Sequence, residues 1–267
     1  MNDIDEIGML YACEVLEENI AAKALYKFAP IIGKAALSGI ILALSQGGVQ
    51  AAEEKVKEIV NPKDQEAINT AIRSITAKDD FINRAEQLIS FLETGVRPKA
   101  ISADSRAQLG QLSRLKQYGQ AYYYAIGGKN MGPDIYKMSY EDLSRKYGRG
   151  AKGKYQIISS TYKEFVDKGL YKHVPNAKHD FSPETQDQIF EYMSNKKQNF
   201  KKAIEEFQKG NVNKSIWYLS REWASIPKDA TDLSYYDGDG RNKALASFKD
   251  VKDFLTGKIE ITGVDKL

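Results

Sequence analysis

The stretch that decides the fold is Gly148-Arg-Gly-Ala-Lys-Gly-Lys-Tyr-Gln-Ile-Ile-Ser-Ser-Thr161. Glycines alternate with basic residues in its first half, and the apolar run Tyr155–Ile158 that follows predicts a short strand. Glycine lets the backbone approach a ligand closely and adopt positive φ. Thr161 and Glu164 have the spacing of a capping box, so a helix is expected to begin at Thr161. Such a loop, strand and helix can form one wall of a cleft, with a solvated hairpin as the alternative.

Three further runs follow this stretch in the chain. They read DFSPETQD over Asp180–Asp187, LSREWASIP over Leu219–Pro227 and SYYDGDGRNKA over Ser234–Ala244. Together with the glycine-spaced stretch, they resemble in the same order the segments of the phage lambda-type lysozymes, a family of muramidases and transglycosylases. The resemblance covers residues 112–255 and leaves the first hundred residues outside it.

The resemblance and the helical periodicity together predict a mostly α fold. An α-helical N-terminal module is expected over residues 1–95, followed by a linker over 96–105, where Gly and Pro lie close together. A lysozyme-like α+β domain with a small β-hairpin is expected over 106–257, and a C-terminal tail over 258–267. Apolar residues at three- and four-residue spacing, without any strand pattern, are the basis for the helical module, with helices over residues 4–28, over about 63–76 and from a cap at Asp79 or Asp80 to Gly95. In the lysozyme-like domain, Ser182 as N-cap and Pro183 at N1 predict the start of another helix.

The most apolar part of the chain is Ile31–Leu44. Its length, about 14 residues, is short of the roughly 20 that a membrane-spanning helix needs. Three interpretations stay open: a buried hairpin helix, a segment that contacts a membrane, and a segment that packs inside an assembly. The small residues at Val49-Gln50-Ala51 match a signal-peptidase site, but the long acidic region before them is not that of a secretory signal, so no signal peptide is expected.

Charge is unevenly distributed along the chain. Residues 1–100 hold 11 Lys+Arg and 15 Asp+Glu, a net charge of −4, whereas residues 101–267 hold 28 and 21, a net charge of +7. A basic C-terminal part suits an anionic polymer such as a cell wall or a nucleic acid, and no nucleic-acid-binding motif is present. The single cysteine excludes a cysteine-based metal cluster, and two histidines leave little for a His-rich metal site. Neither a cofactor nor a metal is expected.

Glycosidic cleavage needs a proton donor at the leaving oxygen. The resemblance implies a glutamate at the end of the first helix of the lysozyme domain, written next to Gly-Gly or Gly-Thr and kept protonated by burial. The periodicity predicts that this helix covers about 103–126 and stops at Gly127-Gly128. Ala125 or Ile126 would then occupy the place of the acid, and no acidic residue lies between Arg106 and Pro133.

Two acids are the candidates for a displaced proton donor. Asp134 lies in a loop expected to face the cleft, and Glu141 lies in the first turn of a short helix capped by Ser139 and Asp142. One acid is enough for a transglycosylase, because a hydroxyl of the sugar itself attacks, whereas hydrolases usually use two carboxylates.

Binding to glycan can persist without cleavage. By resemblance, Tyr155 and Gln156 match a pair that lines the cleft and offers a ring and an amide to a sugar. Tyr235 and Tyr236 lie in the last matched loop and are expected to act in the same way. Packing of these tyrosines onto the domain is the alternative.

The first functional hypothesis is therefore a virion-associated phage protein of the tail, baseplate or ejection apparatus. Its lysozyme-like domain would be a pseudoenzyme that binds peptidoglycan at the bacterial periplasm and cell wall or serves assembly, and residues 1–95 would contact other virion proteins. The alternative is an active muramidase or lytic transglycosylase that uses Asp134 or Glu141. Transient membrane contact through Ile31–Leu44 is a third expectation.

Overall fold

The computed structural model describes residues 25–94, 122, 124–125, 129–168, 180–238, 242–261 and 264. The chain divides into two compact units, Met1–Asp80 and Phe81–Leu267, here called unit 1 and unit 2. Helices dominate both, so the prediction of a mostly α fold is confirmed. The helix expected over residues 4–28 lies almost wholly outside the described residues.

The described part of unit 1 consists of helices around a small apolar core. A 3-10 turn at Tyr26–Phe28 and helix α1 (Ala29–Ile32) lead into α2 (Lys34–Ile59) and the first part of α3 (Pro62–Thr94). Helix α2 is kinked at Gly48, whose φ of 73° and ψ of −162° are open to glycine alone. Aliphatic side chains fill the core, among them Leu37, Ile40, Val56, Ile68 and Ile72.

Helix α3 is continuous where the sequence predicts two helices, one over about 63–76 and the next capped by Asp79 or Asp80. No glycine or proline interrupts Lys63–Thr94, and the pair Asp79-Asp80 does not end the helix. The boundary between the units falls inside α3, between Asp80 and Phe81. The expected module boundary at residue 95 is therefore placed too late, because the residues after Asp80 belong to the core of unit 2.

Unit 2 is built from the end of α3 and a series of shorter helices. A 3-10 helix covers Pro133–Lys137, and the α-helices are α4 (Tyr140–Tyr147), α5 (Ser159–Asp167), α6 (Pro183–Lys196), α7 (Gln198–Gln208), α8 (Val212–Leu219) and α9 (Phe248–Leu255). The Ser139 hydroxyl accepts from the Asp142 amide and the Ser182 hydroxyl from the Thr185 amide, so both predicted N-caps are confirmed.

The strand predicted at Tyr155–Ile158 is wrong. A single antiparallel bridge joins Lys152 to Ile157, and a tight turn lies between them. Helix α5 then begins at Ser159, with Ile158 as an N-cap that lacks a side-chain hydrogen bond. The predicted capping box at Thr161 is also wrong, because Thr161 already lies inside the helix.

Paired strands of two residues each occur at β1 (Tyr124–Ala125) and β2 (Lys129–Asn130). This pair is too short to confirm the β-hairpin expected of an α+β domain. The helix predicted over 103–126 is wrong at its end, because Tyr124 and Ala125 form an extended strand. Ile126, together with most of that predicted helix, lies outside the described residues.

Among the described residues, the core of unit 2 draws on segments from Phe81 to Val264. Helix α3 contributes a fully buried stripe on one face, consisting of Phe81, Ala85, Leu88, Ile89, Phe91 and Leu92. Aromatic rings dominate the remainder: Tyr155 stacks on Phe190 at 4.5 Å, and Phe200 meets Trp223 edge-on at 5.4 Å. The core therefore holds the end of α3 against the glycine-spaced stretch and α6.

Candidate functional site

The glycine-spaced loop is fixed by one glutamine of the Asp180–Asp187 run. Gln186 accepts a hydrogen bond from the Lys154 amide at 2.9 Å and donates to the carbonyl oxygens of Tyr122 and Phe181. Gly153 has a φ of 79°, and a Cβ built there would lie 2.1 Å from the Gln186 side-chain oxygen. The absence of a side chain at Gly153 therefore permits this close approach, and two sequence motifs meet at one contact.

A buried polar cluster lies beneath this loop and joins four segments of the chain. It consists of Glu86 on α3, Tyr122, Lys154, Tyr155, and Asp187 on α6, here called the Lys154 cluster. The Lys154 amine is 2.7 Å from the Glu86 carboxylate and 3.5 Å from that of Asp187. Both tyrosine hydroxyls donate to Asp187, Tyr122 at 2.7 Å and Tyr155 at 2.5 Å. One cation thus links two carboxylates in the interior.

Burial sets the protonation of this cluster. It raises the pKa of Asp187, although the Lys154 charge opposes the shift. Burial, followed by the negative charges of Glu86 and Asp187, raises the pKa of Tyr155 well above its ordinary value. The tyrosines therefore remain neutral donors over the physiological pH range.

A second lysine is buried in the same stretch. The Lys152 amine donates to the carbonyl oxygens of Gly148 and Gly150, each at 2.6 Å, and lies 5.2 Å from the centre of the Tyr140 ring. Burial lowers the pKa of Lys152. Its amine therefore ties the start of the loop to its end.

Glu93 occupies the last turn of α3 and is half-buried. Its Oε1 atom accepts a hydrogen bond from the Ser225 hydroxyl at 2.5 Å. Ser225 belongs to the Leu219–Pro227 run, and within that run the Trp223 indole donates to the carbonyl oxygen of Tyr155 at 3.2 Å. A carboxyl group at a helix end is thereby connected to two of the four sequence motifs.

An aromatic surface patch lies on the last matched loop. Tyr235 and Tyr236 are 37% and 41% exposed, with ring centres 5.2 Å apart. The Tyr235 ring meets Trp217 edge-on, and the Arg221 guanidinium lies 5.0 Å from the Trp217 ring and 5.1 Å from Tyr235. The Tyr236 hydroxyl donates to the carbonyl oxygen of Arg221 at 2.7 Å, so the exposed rings are held in place.

The predicted sugar-binding residues separate into two groups. Tyr155 is 1% exposed and its hydroxyl is engaged by Asp187, so the prediction that its ring faces a sugar is wrong. Gln156, with a φ of 48°, turns its amide back to the Gly153 carbonyl oxygen. Tyr235 and Tyr236 are accessible, and their role in binding stays a prediction.

The two candidate acids, Asp134 and Glu141, both lie at the surface. Asp134 is exposed in the 3-10 helix Pro133–Lys137, and Glu141 is exposed in the first turn of α4. Neither has the burial on which a general acid of this kind depends. Their catalytic role stays an untested prediction that the geometry does not favour.

Sequence reasoning missed Glu86 and Glu93 because both were assigned to the N-terminal module. A signal for Glu93 was present: it is followed by Thr94-Gly95 and ends a strong apolar stripe. From the sequence, Gly95 is interpreted as the end of a helix in the N-terminal module, so this signal is not used there. Among the described residues, no group of three His, Cys, Asp or Glu side chains could hold a metal ion.

The family model described as Endolysin matches residues 110–250, which is just over half of the chain. The match starts after Glu93, so Glu93 is linked to it only through the fold. No curated protein matches the chain. No solved structure matches it either.

Proposed function

Because the chain belongs to the Endolysin family and has a lysozyme-like, peptidoglycan-directed domain, we propose that it cleaves glycan strands with Glu93 as the proton donor. The observation that carries this proposal is the position of Glu93 at the end of the first helix in unit 2. The resemblance implies a glutamate at that corner, followed by small residues. Thr94 and Gly95 follow Glu93.

The geometry supports a one-acid mechanism. Glu93, as a carboxylic acid, gives its proton to the bridging oxygen as the bond from the sugar C1 to that oxygen breaks. A hydroxyl of the same sugar then attacks C1, and its proton passes to the Glu93 carboxylate, which restores the acid. The product would be an anhydro sugar end, one water lighter than a hydrolysis product. Within the described residues, the carboxylates of Glu86 and Asp187 are engaged by Lys154, so neither is offered as a second catalytic group.

Glu93→Gln tests the donor directly. General acids contribute about 10²- to 10⁴-fold to rate, so we expect glycan cleavage by Glu93→Gln to fall by that factor. Asp134→Asn and Glu141→Gln are the matched controls and should cleave as the wild type does. Zymography and mass spectrometry of released muropeptides provide the measurement. Undiminished cleavage by Glu93→Gln would overturn the proposal.

A pseudoenzyme that binds glycan or serves assembly is the alternative outcome of the same experiment. It would be established by a wild-type protein that binds purified peptidoglycan sacculi yet releases no muropeptides. Exposed aromatic rings at Tyr235 and Tyr236 support the binding part of either account, since such rings stack on sugar faces. Alanine at both positions should then weaken sacculus binding.

A virion-associated location remains part of the proposal. Its support is that unit 1 is helical and has a hydrophobic core of its own, as an adaptor for other virion proteins would need. Mass spectrometry of density-purified virions tests this directly. Absence of the protein from virions, together with its presence in the lysate, would remove the virion and tail assignment.

Membrane contact is proposed for helix α2. Among the described residues, α2 is the one helix long and apolar enough to cross a membrane, and 17% of its most apolar window is buried. Leu42 is 53% exposed. Leu42→Lys should reduce co-sedimentation with anionic liposomes, whereas Gln50→Lys, at an exposed polar position of α2, should not. Equal binding by both variants would remove this proposal.

A further inference from the structure

Ser225 is a buried residue whose side chain meets Glu93. It is 4% exposed, and its hydroxyl donates to Glu93 Oε1 at 2.5 Å. A serine hydroxyl also accepts a hydrogen bond, so it can remain in contact when the carboxyl group is protonated.

The backbone around Ser225 is fixed on both sides. Its carbonyl oxygen accepts from the Leu245 amide at 2.8 Å, and the Ile226 amide donates to the Trp223 carbonyl oxygen at 3.1 Å. Trp223 is itself anchored to the carbonyl oxygen of Tyr155. On the opposite side of the contact, Glu93 projects from the last turn of a helix whose preceding residues are core. The hydroxyl and the carboxyl group therefore meet from two rigid supports.

We propose that Ser225 is a positioning residue for Glu93, which holds one carboxyl oxygen so that the proton donor keeps a fixed orientation toward the glycan. This inference rests on the proposed function of Glu93. It assigns a task to a serine within the WASIP part of the Leu219–Pro227 run.

Two measurable consequences follow from the contact. A fixed carboxyl group lowers the entropic barrier to proton transfer, so losing the contact lowers kcat more than it changes KM. A donor that favours the ionised form lowers the pKa of an acid, so losing it raises the pKa of Glu93. The alkaline limb of the rate profile, where the donor loses its proton, then moves to higher pH.

The test compares Ser225→Ala and Ser225→Cys with the wild type in the full chain. We expect kcat to fall by about tenfold at an unchanged KM, the size of a charge-assisted hydrogen bond, and the alkaline limb to move to higher pH. Cysteine is close to serine in size but is a weak donor, so it should show the same direction while preserving the packing. Ser220→Ala is the matched control, because Ser220 is buried and its hydroxyl donates to the Trp217 carbonyl oxygen.

A titration that does not depend on activity completes the experiment. The carboxyl ¹³C resonance of Glu93, assigned by its loss in Glu93→Gln, should titrate at higher pH in both Ser225 variants than in the wild type and Ser220→Ala. Unchanged titration and an unchanged rate profile in the Ser225 variants would overturn this inference alone. Full activity of Glu93→Gln would instead overturn the proposed function, so the two failures are distinguishable.

Discussion

Lys154 carries a buried charge in unit 2. Its side chain is 1% exposed, and its amine lies between the carboxylates of Glu86 and Asp187. A buried ion pair is weak evidence for net stability, but removing one partner leaves the other buried without compensation. The Lys154 cluster therefore makes the fold sensitive to the loss of one cation.

Lys154→Met should lower the free energy of unfolding by about 3–5 kcal/mol at pH 7, the usual cost of breaking a buried pair. The loss should shrink as pH falls, because burial raises the pKa of Asp187 and protonation removes its unpaired negative charge. Urea unfolding at pH 7 and pH 5 measures both effects. Lys209→Met is the control, since the Lys209 side chain is 61% exposed in its pair with Glu206 and such pairs contribute under about 1 kcal/mol. A loss in Lys154→Met that is as small as in the control would contradict the prediction.

Gly153 should be far less tolerant of alanine than Gly148. Both have positive φ, 79° and 86°, but a Cβ at Gly153 meets Gln186 whereas one at Gly148 meets nothing within 4 Å. Gly148→Ala should therefore cost only backbone strain of about 1–3 kcal/mol, and Gly153→Ala should add a packing cost of about 1–3 kcal/mol. Thermal unfolding of the two variants gives the comparison. Equal losses of stability in the two variants would show that the Gln186 side chain moves aside at no free-energy cost.

At the level of elements, Glu164 connects α5 to α6 and to the residue between α6 and α7. Its carboxylate accepts from Lys168 at 2.7 Å, from Tyr192 on α6 at 2.6 Å and from Lys197, which lies between α6 and α7, at 2.5 Å. Hydrogen bonds from Lys168, then Lys197 and Tyr192, lower the pKa of Glu164 to about 2. The contact stabilises the fold while the carboxylate is ionised.

Because the folded-state pKa of Glu164 is depressed, its stabilising effect is complete above the ordinary value of 4.5 and is lost as pH falls toward 2. Glu164→Gln should destabilise the protein by about 1 kcal/mol at pH 7, since the group is partly solvated. The difference from wild type should disappear near pH 2. Unfolding midpoints across this range measure it, with Glu141→Gln as the exposed control. A difference independent of pH would contradict the charge-based explanation.

The helices were largely predictable because their signals are local. The caps at Ser139 and Ser182 and the apolar stripe from Phe81 to Leu92 needed only neighbouring residues. The turn around Gly153 was not predictable, because Gln186 from another segment determines it. An apolar stripe likewise shows which face of α3 is buried but not which unit buries it. For this reason the end of α3, and Glu93 with it, was assigned to the wrong unit.

The difference in net charge is larger when the chain is divided between Asp80 and Phe81 than when it is divided at residue 100. Residues 1–80 hold 8 Lys+Arg and 13 Asp+Glu, a net charge of −5, and residues 81–267 hold 31 and 23, a net charge of +8. The basic charge thus belongs to the unit that carries the Endolysin match. A net positive charge favours encounter with an anionic wall polymer, and the attraction weakens as salt increases.

The boundary between the units predicts which C-terminal fragments of the chain fold on their own. A fragment of residues 78–267 retains the stripe of α3 and should unfold cooperatively and keep any glycan cleavage, whereas a fragment of residues 96–267 should not fold. The shorter fragment lacks Phe81, Leu88, Ile89, Phe91 and Leu92, all buried. Burying one such side chain contributes about 1.5–3 kcal/mol, so their joint loss matches the roughly 5–15 kcal/mol by which domains are stable.

Circular dichroism and thermal unfolding of both fragments measure whether each one folds. A cooperatively folded 96–267 fragment would restore the boundary at residue 95, and an inactive 78–267 fragment of an active full chain would show that unit 1 takes part in cleavage.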